Sequence, residues 1–399
     1  MIEPEEAWER IIARVNPLPP VCRRLDEVGG LVLAEDVRAE GDHPPFAAST
    51  VDGWAVVAED ESPQRRILEA EGRAGTAPGA RVVPGTAARI MTGAPIPPGA
   101  DAVVMLEDSV VEGDFVRFTR AVRPGENVRP AGSDVQAGQV VLRAGTVLGP
   151  AEVGLLATVG HWEVWVYPRP RVAVLSTGDE VVEPWKTPAP GQIRDSNRYA
   201  LMVAVREAGG EAISMGIVPD RPEGMRERLR AALAEADALI TSGGVSVGRY
   251  DHIGPILAEL GTVHFNRVRQ KPGKPLTFAT VGNKPCFALP GNPVSALVSF
   301  ELYVRPALRR MAGHARLRRP EVTVHLRHPV QPDPERLEFM RAVVEREEDE
   351  WWARTTGAQA SSRLLSMAGA NALLRIPPGP TLPEGAAVTA ILLENDGHP

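Results

Sequence analysis

Several residues in this chain have the types and spacing to do chemistry on an anion. In Gln270-Lys271-Pro272-Gly273-Lys274-Pro275 the prolines stiffen the chain and the glycine turns it, so two ammonium groups share a fixed frame. The chain has only four lysines, Lys186, Lys271, Lys274 and Lys284, among 44 basic residues. Lysine used twice in one turn points to a compact charge for phosphate or another oxyanion, where arginine would offer a planar fork. The run Ser242-Gly243-Gly244-Val245-Ser246-Val247-Gly248 follows an apolar stretch. Its glycines let backbone N–H groups turn toward an anion, and Ser242 and Ser246 add hydroxyl donors. No Lys-Ser/Thr pair follows, so it is not a P-loop. Asp179 and Glu180, with Asp220 and Asp251, offer hard oxygens of the kind Mg2+ takes beside substrate phosphates. Asn292-Pro293 opens a long helix whose first N–H groups make another anion seat.

Each feature has a plainer reading. Gly and Ser build ordinary turns, Asp and Asn cap helices, and two lysines can sit on a solvated loop. Gly244-Val245-Ser246-Val247-Gly248 also matches a nucleophile elbow, which would make the chain a serine hydrolase. An elbow needs its serine directly between strand and helix. Here several residues intervene and Asp251 and His252 adjoin one another, which disfavours that reading. The histidines lack metal-ligand spacing. Ser49 to Ala55 and Ile90 to Pro95, taken alone, read as hairpin turns.

The elements that must position these residues follow from periodicity. Residues 5–16 carry apolar side chains at Ala7, Ile11, Ile12 and Val15, one face of a helix. From 46 to 135 short alternating runs, among them Arg81-Val82-Val83, Ala100 to Leu106 and Phe115 to Phe118, predict a β-rich module. From 168 strands and helices alternate: strands at 171–175, 213–218, 238–241, 263–268, 276–280 and 286–289, with helices between, capped at Asp195 or Ser196 and kinked or shortened at Pro306. That pattern predicts a parallel-rich sheet covered on both faces, with ligands bound outside the carboxyl ends of its strands. The tail, 316–399, returns to short strands and reads as a small β-barrel.

Composition bounds the rest. The chain has 399 residues, 38 of them glycine and 38 proline, which excludes a long coiled coil and predicts two to four domains. A net charge of −7 without a basic stripe argues against nucleic acid as a partner. Two cysteines, Cys22 and Cys286, an acidic N-terminus and no long apolar run predict a cytoplasmic protein with no membrane association.

Taken in order, the motifs resemble the molybdopterin molybdenumtransferase family, which includes MoeA and the gephyrin E domain. The resemblance is carried by Asp52-Gly53-Trp54-Ala55, Met91-Thr92-Gly93-Ala94, Asn127-Val128-Arg129 through Asp134, Ser176 to Glu180, and Gly243 to Asp251. Lys271 to Pro275, Leu289 to Ser295, Phe339-Met340-Arg341, and Gly357 to Ser361 with Ser366 complete it. It implies a multidomain α/β protein: an elongated N-terminal dimerisation domain at 1–45 plus 136–167, an inserted β-rich module at 46–135, a MogA-like α/β domain at 168–315 and a C-terminal β-barrel at 316–399. It implies insertion of molybdenum from molybdate into adenylylated molybdopterin with release of AMP, dependent on Mg2+. Asp52, Glu180, Asp220, Asp251 and Lys271 would be catalytic, with Asp220 and Asp251 on the metal. Thr92, Asp134, Gly178, Gly243, Gly244, Ser246, Lys274, Pro290, Asn292, Arg341 and Ser361 would bind substrate. The family's active site lies between the α/β domain of one subunit and the inserted module of the other, so a homodimer is expected. A separate MogA-type adenylyltransferase and molybdoenzyme maturation factors are the expected partners. A non-catalytic scaffold of the same fold is the alternative, disfavoured by the intact acidic and lysine sets and by the lack of an attached linker or second domain.

Overall fold

The computed structural model describes residues 1–244 and 252–393. The chain folds as two compact units, one of Met1–Val21, Gly30–Ala34 and Trp165–Pro399, the other of Cys22–Gly29 and Glu35–Val164. Among the described residues no helix is long and apolar enough to cross a membrane.

The second unit is built on a six-stranded sheet, in the order Ala102–Met105, Gly53–Val56, Thr86–Ile90, Arg65–Gly72, Phe115–Phe118 and Ser109–Glu112. Gly53 is required here because a Cβ would lie 2.0 Å from the Val104 carbonyl oxygen. Trp54 donates its Nε1 proton to Ser109 Oγ at 3.0 Å, so both residues after Asp52 serve the sheet. Arg81-Val82-Val83, expected as a strand, forms none; Pro84 follows and cannot donate to a ladder, and the strand begins at Thr86. Val82 is still buried, as a loop residue. The same unit also holds the short strand Val140–Leu142 and the helix Pro150–Thr158.

In the first unit the opening helix covers Pro4–Ile12 and stops short of the expected end at 16. Asn16 precedes Pro17, a position that disfavours helical backbone, although Val15 stays buried. The α/β sheet has the order Glu211–Val218, Arg171–Thr177, Ala238–Ser242, Lys284–Leu289, Pro275–Val281 and Thr262–Arg267. The first four strands run parallel and the last two pair antiparallel. Alternation along each strand sorts side chains into two cores. Val172, Val174, Ile240, Phe287 and Leu289 pack under the helix Asn197–Glu207 and the 293–311 helical run. Ala173, Leu175, Leu239, Cys286 and Ala288 pack under Pro222–Glu235 and Ile253–Leu260. Burying side chains of this size is worth roughly 1.5–3 kcal/mol each, so slipping one strand by a residue is prohibitive. The expected kink at Pro306 is absorbed by a π turn at Phe300–Val304, which lets the helix resume at Arg305 without the missing N–H.

The C-terminal strands close on themselves. Leu337–Glu347, Glu350–Thr355, Glu321–Leu326, Ala387–Leu392 and Ala372–Ile376 form a five-stranded barrel, the last pairing back to the first. Gln270–Lys271 adds to it as a short parallel strand, Lys271 opposite Glu338.

Candidate active site at the strand ends

The carboxyl ends of the parallel strands open into a cleft of about 610 Å³. Its floor comes from the loop after each strand: Ser176 to Gly178 with Glu180, Asp220, Ser242 to Gly244, and Pro290 to Pro293. These are the loops that topology alone gathered. Gly178, at φ +136°, leaves the space that the Glu180 carboxylate fills, since a Cβ there would lie 2.5 Å from Glu180 Oε2. Gly243, at φ +93°, lets the chain pass the Thr177 carbonyl, which a Cβ would meet at 2.7 Å.

Asn197 ties two of the loops together. Its Nδ2 donates to Ser242 Oγ at 2.7 Å and to the Gly291 carbonyl at 2.8 Å. Ser242 Oγ in turn donates to the Pro290 carbonyl at 3.3 Å, so this hydroxyl belongs to the frame and is not the ligand donor expected of it. Gly243 N–H is likewise spent on the Leu289 carbonyl at 3.1 Å. Buried Asp195 accepts from Ser176 Oγ at 2.9 Å and from the Arg198 amide at 3.0 Å, and it pairs with Arg198 Nε at 2.9 Å. It thus caps the helix as well as anchoring the first strand end; Ser196, the other expected cap, makes no capping bond. Arg194 and Asn197, both missed from sequence, line the cleft.

The acidic corner has a different character. Asp220 donates its amide to Asp179 Oδ1 at 3.2 Å, while its own Oδ1 is buried without a hydrogen-bond partner among the described residues. Burial, then the charges of Asp179 and Glu180, push the Asp220 carboxyl above its ordinary value. A buried carboxylate oxygen facing like charges fits a divalent cation completed by substrate oxygens. Among the described residues, no three acidic, histidine or cysteine side chains form a self-sufficient metal cage. Ser246 and Asp251, also expected at this edge, lie outside the described residues.

The expected helix-terminus seat is partly filled from the barrel. Asn292 Nδ2 donates to Ser361 Oγ at 3.1 Å, and the Val294 amide donates to the Ser361 carbonyl at the same distance. Ser362, beside Ser361, lines the cleft. Arg341 is fully buried beneath this loop, where Nε donates to Ser366 Oγ at 3.2 Å and Nη2 to the Ala360 carbonyl at 3.1 Å. Burial lowers its pKa and Nη1 finds no partner. Arg341 therefore holds the loop that carries Ser361 and does not itself face the cleft.

The two lysines differ. Lys271 Nζ lies 3.1 Å from Glu338 Oε1 and 3.9 Å from Asp333 Oδ2, so its ammonium is paired. Lys274 is exposed, and Pro275 after it lines the cleft. In the other unit, Asp52 Oδ1 accepts from the Thr92 amide at 2.7 Å and the Thr92 hydroxyl at 2.8 Å. The Thr92 amide first, then its hydroxyl, hold the Asp52 carboxyl below its ordinary value. Asp134 is exposed there, its amide donating to the His43 carbonyl at 3.1 Å.

Comparison with known proteins adds to this geometry. Residues 2–160 match the model of the MoeA N-terminal region (domain I and II), 173–310 that of a probable molybdopterin binding domain, and 323–393 that of the MoeA C-terminal region (domain IV). A molybdopterin molybdenumtransferase of Nostoc is 40% identical, with 88% of this chain and 84% of that protein covered. A gephyrin of Dictyostelium discoideum is 37% identical over 91% of this chain, which spans 58% of that protein's length. A solved molybdopterin biosynthesis MoeA protein of Pyrococcus horikoshii superposes with a TM-score of 0.87 at 32% identity, covering 99% of this chain and 100% of that one.

Proposed function

The chain belongs to the molybdopterin molybdenumtransferase (MoeA) family, and from that premise we propose that it inserts molybdenum from molybdate into adenylylated molybdopterin and releases AMP, within molybdenum cofactor biosynthesis. The observation that carries the reading is the strand-end cleft, where donors for phosphate stand beside a buried Asp220 oxygen that has no partner among the described residues. A cleft of about 610 Å³ is of the size that holds a nucleotide-sized ligand.

In this reading Arg194, Ser196 and Ser362 bind phosphate oxygens from the cleft wall. Asp220, with Glu180 and the substrate phosphates, would hold Mg2+, and the family resemblance would add Asp251, which lies outside the described residues. When bound, Mg2+ would polarise the phosphoryl oxygens and offset charge growing on the departing AMP. Gly178, Gly243, Gly244 and Pro290 keep the floor low enough for the substrate to reach the carboxylates. Lys271 and Lys274 are assigned to the oxyanion, Lys271 while paired to Glu338. Asn292, Ser361 and, through its loop, Arg341 orient the same end. Asp52, Thr92 and Asp134 of one subunit complete the cleft of the other in a cytoplasmic homodimer, with the four-domain division at 46, 136, 168 and 316. The adenylylated substrate would come from a MogA-type adenylyltransferase and the product would pass to molybdoenzyme maturation factors.

The test supplies adenylylated molybdopterin, molybdate and Mg2+ to the purified protein and measures AMP release with molybdenum incorporation. Molybdate-dependent AMP release is expected; its absence would sink the reading.

A further inference from the structure

Beside the cleft lies a second cavity of about 460 Å³, walled by Pro184, Trp185 and Tyr199 together with Arg194, Asp195 and Ser196, which line the cleft as well. The cleft is lined mostly by polar side chains, glycines and prolines, with Val181 and Ile193 as its aliphatic groups, and has no aromatic ring among its described residues. The neighbouring cavity has two. Trp185 is 73% exposed and Tyr199 39%, an unusual cost in hydrated apolar surface for rings the core does not use.

The turn that carries Trp185 is closed by hydrogen bonds, and the Tyr199 ring is held by its own contacts. Arg194 Nε donates to the Pro184 carbonyl at 3.0 Å, and the Lys186 amide donates to the Glu183 carbonyl at 3.0 Å, closing the turn that carries Trp185. The Tyr199 hydroxyl donates to Glu183 Oε2 at 3.0 Å. The Arg198 guanidinium lies 4.8 Å from the Tyr199 ring centroid and is itself fixed by Asp195 and Glu183. Two exposed aromatic rings on anchored backbone that share a wall with a polar, nucleotide-sized cleft suit a ligand that is polar at one end and flat at the other.

We propose that Trp185 and Tyr199 form a stacking platform for the planar nitrogen heterocycle of the phosphate-bearing substrate in the cleft. Arg194, common to both cavities, stands where the phosphate joins the ring-bearing end to the reacting end. This rests on the proposed function, whose substrate carries two such rings, an adenine and a pterin. Both have the same stacking chemistry, and the platform takes one of them.

The test titrates AMP, a pterin monophosphate and ribose 5-phosphate into the parent protein and the Trp185→Ala and Trp185→Phe variants, with calorimetry as readout. Trp185 is too exposed for its loss to threaten folding, which circular dichroism verifies. Trp185→Ala is expected to weaken one of the two ring ligands about tenfold, or about 1.4 kcal/mol, with Phe restoring most of it. Ribose 5-phosphate, which has no aromatic heterocycle, should bind the parent and both variants equally. The ligand that responds identifies the ring. Affinities for both ring ligands within twofold of the parent would overturn the platform, as would a change in oligomeric state with ligand affinity intact, which would assign the patch to a protein contact. Failure of the parent to release AMP from adenylylated molybdopterin would instead strike the proposed function, so the two failures are distinguishable.

Discussion

Replacing Lys271 with alanine would strand Glu338, whose side chain is 1% exposed and 3.1 Å from the Lys271 ammonium. At that distance and an effective dielectric of about 20, two unit charges attract by roughly 5 kcal/mol. The Lys271 side chain is 38% exposed, so solvent screens part of this, and about 2–3 kcal/mol is the expected loss. The Asp333 amide, which donates to Glu338 Oε2 at 3.0 Å, offsets part of the cost, while the Asp333 carboxylate, 3.9 Å from the same ammonium, adds to it by losing that charge as well. The double variant Lys271→Ala/Glu338→Gln removes the stranded charge and should recover more than half of the lost stability. The assay is urea unfolding of all four members of the cycle, with AMP release measured alongside. If Lys271 also handles the oxyanion, activity stays low in the double variant although stability returns. A single variant within about 0.5 kcal/mol of the parent would refute the pairing argument, since surface substitutions do no more. Recovery of activity together with stability would reduce Lys271 to neutralising Glu338.

Asp220→Asn should be more stable than the parent at neutral pH without metal. The Asp220 carboxyl is held above its ordinary value by burial and by Asp179 and Glu180, so its ionisation costs stability above the unfolded value of about 3.9. Thermal melts should show the difference shrinking as pH falls through the raised folded value towards about 4 and largely gone below it. Mg2+ should raise the melting point of the parent, by about 2.7 kcal/mol of stability at a hundred times its Kd, and leave the variant unmoved. Gly178→Ala places a Cβ 2.5 Å from Glu180 Oε2 at φ +136°, and is expected to cut AMP release more than tenfold while costing about 1–3 kcal/mol in urea unfolding. Asn197→Ala removes the bonds to Ser242 and Gly291; about 2 kcal/mol of stability and a raised KM are expected from unfolding and steady-state kinetics.

The frame of the site was legible because it follows local rules. Period-two alternation separates Val172 and Val174 from Ala173 and Leu175, and Gly or Pro marks the strand ends, so the cleft's floor could be assigned from spacing. The partners of the charged groups were not. Lys271 meets Glu338 through the register of Gln270–Lys271 against Leu337 and Glu338, which depends on how the barrel closes. Asn197 looks like any first residue of a helix, and its two bonds need the Ala238–Ser242 and Lys284–Leu289 strands to lie side by side. Arg81-Val82-Val83 shows the opposite failure: alternation was present, but Pro84 denied it a ladder.

Arg341 sharpens what the site's charges are for. Its motif was read as a substrate contact, yet the side chain is fully buried and donates to Ser366 Oγ and the Ala360 carbonyl. From Ala360 the chain passes to Ser361, which accepts from Asn292 Nδ2 and the Val294 amide. A buried guanidinium thus fixes the barrel loop that reaches the start of the 293–299 helix, at the edge of the cleft. Lysine could supply the charge but not donors on two separate nitrogens held in one plane, as Arg341 uses Nε for Ser366 and Nη2 for Ala360, so the position calls for arginine on structural grounds. The same logic separates the two basic types along the chain. Arginines such as Arg198 and Arg341 hold the frame through several donors each, while Lys274, exposed beside cleft-lining Pro275, is left to act as a charge.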